Sequence, residues 1–321
     1  MQAIRVRAFG DPEVMRLEEV PTPEPAPGQV RVRIYAAGVN PVDAYIRSGV
    51  YSRLPELPYT PGHDGAGVVD AVGEGVKGLR TGDRVYVAGS ITGTYAQYAL
   101  CEADQVFPLP DRLSFAQGAA LGIPYATAYR ALFQKGRLKP GELVLVHGAS
   151  GSVGLACLEW ARLWGARVLG TAGTAEGMEL IRSRGAEAAF NHRAPGYEDQ
   201  ILAWTEGRGV DLIVEMLANE NLERDLGLLA RGGRLIIVGS RGTIAITPRQ
   251  LMNREAVLMG FMLFYTPPEE RRQIHAAIQA GLQAGVLNPL VRAQWPLAEA
   301  PRAHRVVLEP GARGKIVLVP E

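Results

Sequence analysis

A glycine-rich segment between an apolar run and a helical pattern constrains this chain more than any other feature. Residues 143–146 are Leu-Val-Leu-Val, residues 147–154 are His-Gly-Ala-Ser-Gly-Ser-Val-Gly, and residues 155–161 continue with helical spacing. Glycine permits a tight turn, and the free N–H groups and positive end of the following helix suit a pyrophosphate. An ordinary strand-to-helix turn is the alternative, but the flanking strand and helix favour a dinucleotide site.

The segment after the second predicted strand of this region bears on the choice of dinucleotide. An NAD site places a carboxylate about 20 residues beyond the glycines, whereas this chain has Gly-Thr-Ala-Gly-Thr at 170–174. Without that carboxylate the pocket does not repel a 2′-phosphate, so NADP is favoured over NAD. Arg241 and His192 both follow predicted strands and are candidate counterions, and a solvated loop charge is the alternative for each.

The pattern of apolar runs divides the chain into two parts. Up to about residue 107, short β-branched runs are punctuated by Gly and Pro, which is typical of a small β domain. From about Ser114 a helical pattern begins, and strands then alternate with helices, which predicts a parallel sheet with right-handed crossovers. A long amphipathic helix is predicted over 269–284, and the final β-branched strand, Lys315–Val319, is expected to return to the first domain.

Composition excludes several classes of function. A length of 321 residues favours two domains, and a formal net charge of +1 gives no field that would draw the chain to nucleic acid or an anionic membrane. The first residues are typical of strand and turn, so we expect no signal peptide and no transmembrane segment, and a cytoplasmic location. Two cysteines, Cys101 and Cys157, exclude a disulfide framework and indicate small buried apolar side chains.

His63 is a candidate metal ligand, since histidine commonly binds zinc. A catalytic zinc needs about three protein ligands, and the nearby candidates are Asp43, Asp64 and Asp70, with no second His or Cys in a plausible partner segment. We therefore expect no metal and interpret His63 as a structural or cleft histidine.

Several motifs together resemble the medium-chain dehydrogenase/reductase superfamily and, within it, the zinc-free, zeta-crystallin-like NADPH:quinone oxidoreductases. The resemblance covers nearly the whole chain. Its motifs are Gly-Val-Asn-Pro-Val-Asp at 38–43, Tyr-Ile-Arg-Ser-Gly at 45–49, Tyr-Ser-Arg at 51–53, Pro-Gly-His-Asp-Gly-Ala-Gly at 61–67, Gly-Asp-Arg-Val at 82–85, the glycine-rich segment, Glu-Met-Leu-Ala-Asn at 215–219 and Val-Gly-Ser-Arg-Gly-Thr at 238–243.

The resemblance implies an α/β fold with two domains. A Rossmann domain, a doubly wound parallel sheet, would span 122–264, and a GroES-like β-rich catalytic domain would comprise 1–121 and 265–321, with the cofactor in the cleft. It also implies a homodimer or homotetramer, and RNA binding is known for some members of this group. The NADPH contacts implied by the motifs are Tyr45, Ser150, Gly151, Ser152, Val153, Gly173, His192, Asn221, Val238, Gly239, Ser240, Arg241, Phe261, Met262, Leu263 and Lys315.

Zinc is the main point on which the superfamily divides. Zinc-dependent members place cysteine ligands where this chain has Asn40 and Ile123, and they insert a four-cysteine lobe that this chain lacks. The resemblance therefore implies neither catalytic nor structural zinc. Some bacterial quinone oxidoreductases hold the 2′-phosphate with a lysine where this chain has Gly177, so that contact is not carried over.

These features predict an NADPH:quinone reductase. Asn40, Tyr45 and Tyr51 are the candidates for donating hydrogen bonds to a flat quinone and for stacking on it, and simple packing is the alternative for each tyrosine. The resemblance points to ortho-quinones reduced in one-electron steps. The alternative functions are NADPH-dependent reduction of the C=C bond of an enone or alkenal, and a non-catalytic, crystallin-like protein that binds NADPH or RNA.

Overall fold

A computed structural model describes residues 1–321 and contains fifteen strands and ten α-helices. The strands are β1 Gln2–Val6, β2 Met15–Glu19, β3 Gln29–Val39, β4 Asp64–Val72, β5 Arg84–Ala88, β6 Tyr98–Glu102, β7 Val106–Pro108, β8 Leu143–Val146, β9 Arg167–Ala172, β10 Ala188–Asn191, β11 Val210–Glu215, β12 Leu229–Ile237, β13 Val257–Gly260, β14 Val291–Pro296 and β15 Lys315–Val319. The α-helices are α1 Pro41–Ser48, α2 Phe115–Gly118, α3 Gly122–Tyr129, α4 Ser152–Leu163, α5 Ala175–Ser183, α6 Tyr197–Trp204, α7 Ala218–Leu228, α8 Pro248–Arg254, α9 Pro268–Gln283 and α10 Ala300–Val306.

Short helical turns complete the secondary structure. Helix α3 continues into a π-helical turn, Arg130–Lys135, and the 3₁₀ turns are Pro12–Val14, Ala103–Gln105, Leu263–Tyr265 and Leu297–Glu299. None of the helices combines the length and apolarity that crossing a membrane requires.

The chain folds into two units. The first comprises Met1–Ile123, Gln279–Glu309 and Gly314–Glu321, and the second comprises Pro124–Ile278 and Pro310–Arg313. The family resemblance implies a second junction at 264/265, whereas in the structure most of α9 belongs to the second unit. The start of α9 is held there because Glu270 forms an ion pair with Arg130 and accepts a hydrogen bond from Gln134 on its carbonyl.

The second unit is built on a six-stranded, wholly parallel sheet in the order β10-β9-β8-β11-β12-β13. All four residues of β8 are buried, as expected for a central strand that is covered by helices on both faces. Parallel pairing puts every strand's carboxyl end at one edge, and at the end of β8 Gly148 turns the chain with φ +57°. The glycine-rich segment therefore lies at the middle of that edge.

Close packing of the glycine turn explains why Gly154 must lack a side chain. A Cβ at Gly154 would lie 2.5 Å from the Cα of Ala149 and 2.6 Å from the carbonyl oxygen of Gly148. Helix α4 can approach the turn this closely only through a glycine. The N-terminus of α4 is thereby fixed against the turn that leaves β8.

The first unit is a β structure built around a seven-stranded sheet. The sheet runs β14-β15-β3-β4-β5-β7, with β6 also paired to β3, and all pairs except β14-β15 are antiparallel. A separate β1-β2 hairpin and the helix α10 close over its core, which includes Val32, Val69 and Val85. Strand β15 pairs with β3, which confirms the expected return of the chain's end to the first domain.

Helix α1 is the element of this unit that most affects the site. Pro41 occupies its first turn, the Asn40 N–H donates to Asp43 Oδ2 at 2.9 Å, and Gly49 ends the helix with φ +82°. The sequence patterns predict strands and turns for this stretch, so α1 is a correction, as are α6, α8 and α10, which the patterns also miss. These helices are seven or eight residues long, too short for a periodic apolar stripe to stand out.

Candidate active site

The predicted cofactor residues of the second unit converge on the carboxyl edge of its sheet. Gly173 follows β9, His192 follows β10, Val238 follows β12 and Phe261 follows β13, while residues 150–153 form the glycine turn and the start of α4. In open α/β sheets ligands bind outside the carboxyl ends of the strands. Of the sixteen predicted contacts, Tyr45 and Lys315 belong to the first unit.

A pocket of about 620 Å³ opens at this edge in the second unit. Its lining includes five of the predicted contacts, Val238, Gly239, Ser240, Phe261 and Met262. Arg130 lies on the same wall, with its guanidinium 5.5 Å from the centre of the Phe261 ring. The pocket thus combines apolar walls, glycine backbone and a cationic group.

The short segment 310–313 lies beside the glycine turn and the end of β9. The Ser150 hydroxyl donates to the Ala312 carbonyl at 2.7 Å, and a Cβ at Gly311 would lie 3.6 Å from the Thr174 side chain. The guanidinium of Arg313 lies close enough to contribute to the lowered pKa of Glu176, which is set mainly by hydrogen bonds from its own backbone and from Thr174. Arg313 and the Glu176 carboxylate therefore both flank the β9 turn, whose own residues 170–174 include no carboxylate.

A second basic side chain lies at the same turn. A Cβ on Gly173 would fall 2.8 Å from Nε of Arg193 and 2.8 Å from Nε2 of His192. The Arg193 backbone N–H is fixed by Asn191 Oδ1 at 3.0 Å, and its side chain is exposed. Sequence reasoning considered His192 and Arg241 but not Arg193 as a counterion, because adjacency to Gly173 is visible only in the fold.

Beneath the glycine turn, three ionisable side chains are buried together. His147 Nε2 lies 2.9 Å from Asp225 Oδ1 and 3.6 Å from Glu215 Oε2, and none of the three is more than 2 % exposed. The imidazole N–H is not aligned on either oxygen, so the contact is an ion pair rather than a hydrogen bond. Glu215 Oε1 also accepts from the side chain of Asn221, a predicted cofactor contact, at 3.1 Å.

This cluster shifts the protonation of its members. Burial favours a neutral His147, but the carboxylates of Asp225 and Glu215 outweigh it and raise the pKa of His147 to about 9. Burial raises the pKa of Glu215 to about 7. For His192, burial and the positive charges of His147, Arg193 and Arg224 lower the pKa to about 4. At neutral pH the structure therefore has a charged His147 and a neutral His192.

In the first unit, a second buried polar cluster surrounds Asp64. The ammonium of Lys315 contacts Asp64 Oδ2 at 2.9 Å and Asn40 Oδ1 at 2.5 Å, and Asn40 Nδ2 donates to Asp64 Oδ2 at 3.0 Å. The Ile123 backbone N–H donates to the other oxygen of Asp64 at 2.8 Å. Asn40 is 2 % exposed, and both ends of its amide are engaged, unlike an amide that donates freely to substrate.

His63 lies in a chain of polar groups that extends into the core of the first unit. Its Nδ1 is 2.7 Å from Asp43 Oδ1, and the Tyr95 hydroxyl lies 3.4 Å from Asp43 Oδ2 and 3.1 Å from Nε2 of His304. Burial opposes ionisation of His63, but its hydrogen bond with Asp43 raises the pKa of His63 overall. The sequence suggested a satisfied histidine and named Asp43 among the carboxylates considered beside it, but nothing local in it indicated Tyr95 and His304.

The two predicted substrate tyrosines lie close together along the chain in the first unit. Tyr45 is on α1, Tyr51 follows two residues after its Gly49 cap, and both are half-buried. Each therefore has surface that a ligand can reach. The side chain of Ser48, between them, is tied back to the Tyr45 carbonyl at 3.0 Å.

A parallel sheet with a glycine turn on its central strand and a separate β-rich unit define a medium-chain dehydrogenase/reductase. The family model described as alcohol dehydrogenase GroES-like domain matches residues 26–111, and the one described as zinc-binding dehydrogenase matches residues 152–280. These matches confirm the predicted fold class: a GroES-like domain together with a Rossmann domain.

Individual relatives narrow the family further. The chain is 50 % identical over 321 residues to the quinone oxidoreductase of Homo sapiens, covering 99 % of this chain and 98 % of that one. Its fold matches the Escherichia coli quinone oxidoreductase complexed with NADPH with a TM-score of 0.91 and 31 % identity, over 100 % of both chains. A mycobacterial protein complexed with NADPH matches with a TM-score of 0.91 and 30 % identity, also over 100 % of both chains. The chain belongs to the quinone oxidoreductase family, and it is an oxidoreductase.

The description "zinc-binding dehydrogenase" raises the question of whether zinc fits this chain. At the positions where the zinc-dependent branch is expected to hold its ion, Asn40 is engaged by Asp64 and Lys315, His63 Nδ1 faces Asp43, and Ile123 offers only an aliphatic side chain. Zinc prefers three or four Cys, His or carboxylate ligands. These residues do not fit a zinc ion, and a lysine ammonium already supplies the positive charge beside Asn40.

Proposed function

We propose that this chain uses NADPH to reduce quinones, with ortho-quinones as the favoured class and single-electron steps as the route. The observation that carries the proposal is full-length identity of 50 % with a quinone oxidoreductase, combined with a glycine turn at the carboxyl edge of a parallel sheet. The E. coli relative of the same fold binds NADPH. When bound, NADPH supplies the reducing electrons.

The cofactor would be held by the residues that converge on the sheet edge. The backbone of 150–153 would bind the pyrophosphate at the N-terminus of α4, since the first N–H groups of a helix have no partner within it. Gly173 and His192 would contact the adenosine half. The pocket wall that includes Val238, Gly239, Ser240, Phe261 and Met262 would hold the remainder, together with Arg241, Leu263 and Asn221. Tyr45 and Lys315, which belong to the first unit, remain predicted cofactor contacts.

Preference for the 2′-phosphate would come from charge at the β9 turn. Arg193 lies over Gly173, Arg313 flanks Thr174, and the stretch 170–174 carries no carboxylate to repel a phosphate. Guanidinium groups bind phosphate oxygens through two parallel N–H bonds. We therefore assign Arg193, with Arg313 in support, the counterion role that the sequence suggested for His192 or Arg241.

The half-buried tyrosines Tyr45 and Tyr51 would contact the quinone. Their rings offer a flat surface for stacking, and their hydroxyls can donate to the oxygen on which charge develops. Asn40, the third predicted donor, would act mainly by holding Lys315 beside Asp64, since its amide is already engaged. No step requires zinc, because the quinone's aromatic product tolerates negative charge on oxygen.

The family resemblance also supports a homodimer or homotetramer. Strand β13 ends the parallel sheet and carries Val257 and Met259, which are 46 % and 38 % exposed. An edge strand with exposed apolar side chains is suited to pairing with a second copy. Analytical ultracentrifugation tests this, and Val257→Lys should shift the protein toward monomer.

Radical detection tests the electron count. With NADPH and 1,2-naphthoquinone under anaerobic conditions, we expect an electron paramagnetic resonance signal from the one-electron-reduced quinone in the initial phase of turnover, with two radicals formed for each NADPH oxidised before pairs of radicals disproportionate to quinone and hydroquinone. Initial turnover that forms hydroquinone without that signal would show two-electron transfer. Turnover confined to an enone would replace quinone reduction by C=C reduction.

A further inference from the structure

One buried hydroxyl connects the glycine turn to His192. Thr171, the fifth residue of β9, is fully buried. Its Oγ1 lies 3.2 Å from each of three nitrogens: Nδ1 of His147, the backbone N of Gly148 and Nδ1 of His192. Three partners are as many as one hydroxyl can satisfy.

The proton count on this hydroxyl is fixed by its partners. A threonine hydroxyl has one hydrogen to donate and two lone pairs to accept with. The Gly148 N–H can only donate, so it occupies one lone pair. If all three contacts are hydrogen bonds, one histidine must donate to the remaining lone pair and the other must accept the hydroxyl hydrogen.

Charge decides which histidine donates. His147 faces Asp225 at 2.9 Å and Glu215 at 3.6 Å, both fully buried, so it is held as an imidazolium with a proton on each nitrogen. Burial, together with the positive charges of His147, Arg193 and Arg224, keeps His192 neutral. His147 therefore donates, and the Thr171 hydroxyl donates in turn to Nδ1 of His192.

We propose that His147 and Thr171 are positioning residues that lock His192 in the tautomer with its proton on Nε2, so that it presents a hydrogen-bond donor to NADPH beside Gly173. The proposal rests on the cofactor site proposed above. Nε2 of His192 would lie 2.8 Å from a Cβ at Gly173, so this nitrogen faces the turn assigned to the adenosine half.

The tautomer matters more for NADPH than for NADH. A phosphate dianion offers only acceptor oxygens, so it gains from an N–H and is repelled by a nitrogen lone pair, whereas a ribose hydroxyl can also donate to that lone pair. The ion pair of His147 with Asp225 and Glu215 would thus act through Thr171 on His192, and so on the preference of the protein for NADPH over NADH.

The direct test is nitrogen NMR of the intact protein labelled with ¹⁵N-histidine. The five histidines are assigned by single substitutions. At pH 7 we expect His192 to carry its proton on Nε2 alone and His147 to carry protons on both nitrogens. A His192 protonated on Nδ1 would overturn the proposal. So would a His147 with an unprotonated Nε2, as it would have if His147, Glu215 and Asp225 bound a metal ion.

Two hydrogen bonds, from His147 to Thr171 and from Thr171 to His192, form the proposed relay. Variants can show whether the relay is wrong or the cofactor site is wrong. His192→Leu removes the donor and should weaken NADPH binding about 10-fold or more, and if it has no effect the assignment of His192 to the cofactor site is wrong. Thr171→Val removes only the hydroxyl and should lower the ratio of NADPH to NADH affinity by about 3- to 10-fold. Thr171→Ser keeps the hydroxyl and should restore the ratio to within about 2-fold.

One combination of results isolates the relay. If His192→Leu weakens NADPH binding but folded Thr171→Val leaves both the affinity ratio and the His192 tautomer unchanged, the cofactor site stands and the relay is wrong. Should Thr171→Val fail to fold, the tautomers measured in the unaltered protein still decide the question.

Discussion

The stability of the first unit depends on individual buried charged side chains. Lys315 is 1 % exposed and is compensated only by Asp64 and Asn40. Removing one partner of a buried ion pair costs about 3–5 kcal/mol because the other charge is left uncompensated. We expect Lys315→Met to lower the free energy of unfolding by about that amount, measured by urea denaturation.

The matched control for this prediction is the double variant. Lys315→Met with Asp64→Asn removes both charges and keeps an oxygen that can accept from the Ile123 N–H, so part of the lost stability should return. A double variant no more stable than Lys315→Met alone would show that the pair does not act as a compensated charge.

The tyrosine hydroxyls make a second prediction at this scale. If Tyr45 and Tyr51 donate to the quinone, Tyr45→Phe and Tyr51→Phe should each lower kcat/KM for 1,2-naphthoquinone by about 10-fold. The free energy of unfolding of each variant should stay close to that of the unaltered protein. Tyr35→Phe is the control, since Tyr35 stacks on Phe115 at 4.8 Å in another part of the unit. Unchanged kcat and KM in both variants would mean that the two rings only pack.

Among the elements, the glycine turn with β8 and α4 is the most sensitive to substitution. Gly154→Ala would place a methyl group within 2.7 Å of three backbone atoms. Because all three are backbone atoms, no movement of a side chain can relieve the clash. We expect a loss of about 2 kcal/mol or more in stability and a loss of NADPH affinity, measured by denaturation and by fluorescence titration.

Helix α7 supplies the control for this substitution. Gly227 is the penultimate residue of the helix, and a Cβ there would meet only Gln250 Oε1, at 3.7 Å. Gly227→Ala should therefore be neutral or raise stability by up to about 1 kcal/mol. Equal effects of the two substitutions would contradict the close-packing account of Gly154.

Sequence patterning predicted elements best where they are long or bounded by clear signals. Strand β15 was predicted with its observed bounds from a run of β-branched residues, and α9 was placed within one residue at each end because its apolar periodicity is strong. The short helices α1, α6, α8 and α10 were missed. Their positions are set by caps, such as Pro41 and Gly49 of α1, and by tertiary packing.

Some features of the site could be predicted from the sequence and others could not, because only local patterns are visible in a sequence. The placement of Gly151 and Gly173 just after the carboxyl ends of strands follows from strand-turn-helix patterns, which are local, and their role as cofactor contacts stays a prediction. Partnerships between distant residues, such as His147 with Asp225 or Lys315 with Asn40, separated by 275 positions, have no local signature. Asn40 was predicted as a substrate donor from its position, and only the fold reveals that Asp64 and Lys315 engage its amide.

For the molecule as a whole, His147 predicts how stability depends on pH. The pKa of His147 is raised to about 9 in the folded protein, so its contribution is fully present below its unfolded pKa of about 6.5 and is lost as pH rises through 9. Because Glu215, with a pKa raised to about 7, titrates in the same range, we compare Glu215→Gln with Glu215→Gln/His147→Gln. Between pH 6.5 and 8.5 we expect the first to lose up to about 2 kcal/mol that the second does not lose. Parallel curves for the two proteins, from denaturation at a series of pH values, would contradict a charged His147.

Whether the molecule is an NADPH-dependent quinone reductase is tested most directly by its rate of cofactor oxidation. We would follow NADPH and NADH optically with 1,2-naphthoquinone, and NADPH with an enone, using Arg193→Gln as the variant. The account predicts quinone turnover that is faster with NADPH than with NADH, slower with the enone, and less selective for NADPH in Arg193→Gln. Equal rates with the two cofactors, or turnover of the enone alone, would contradict it.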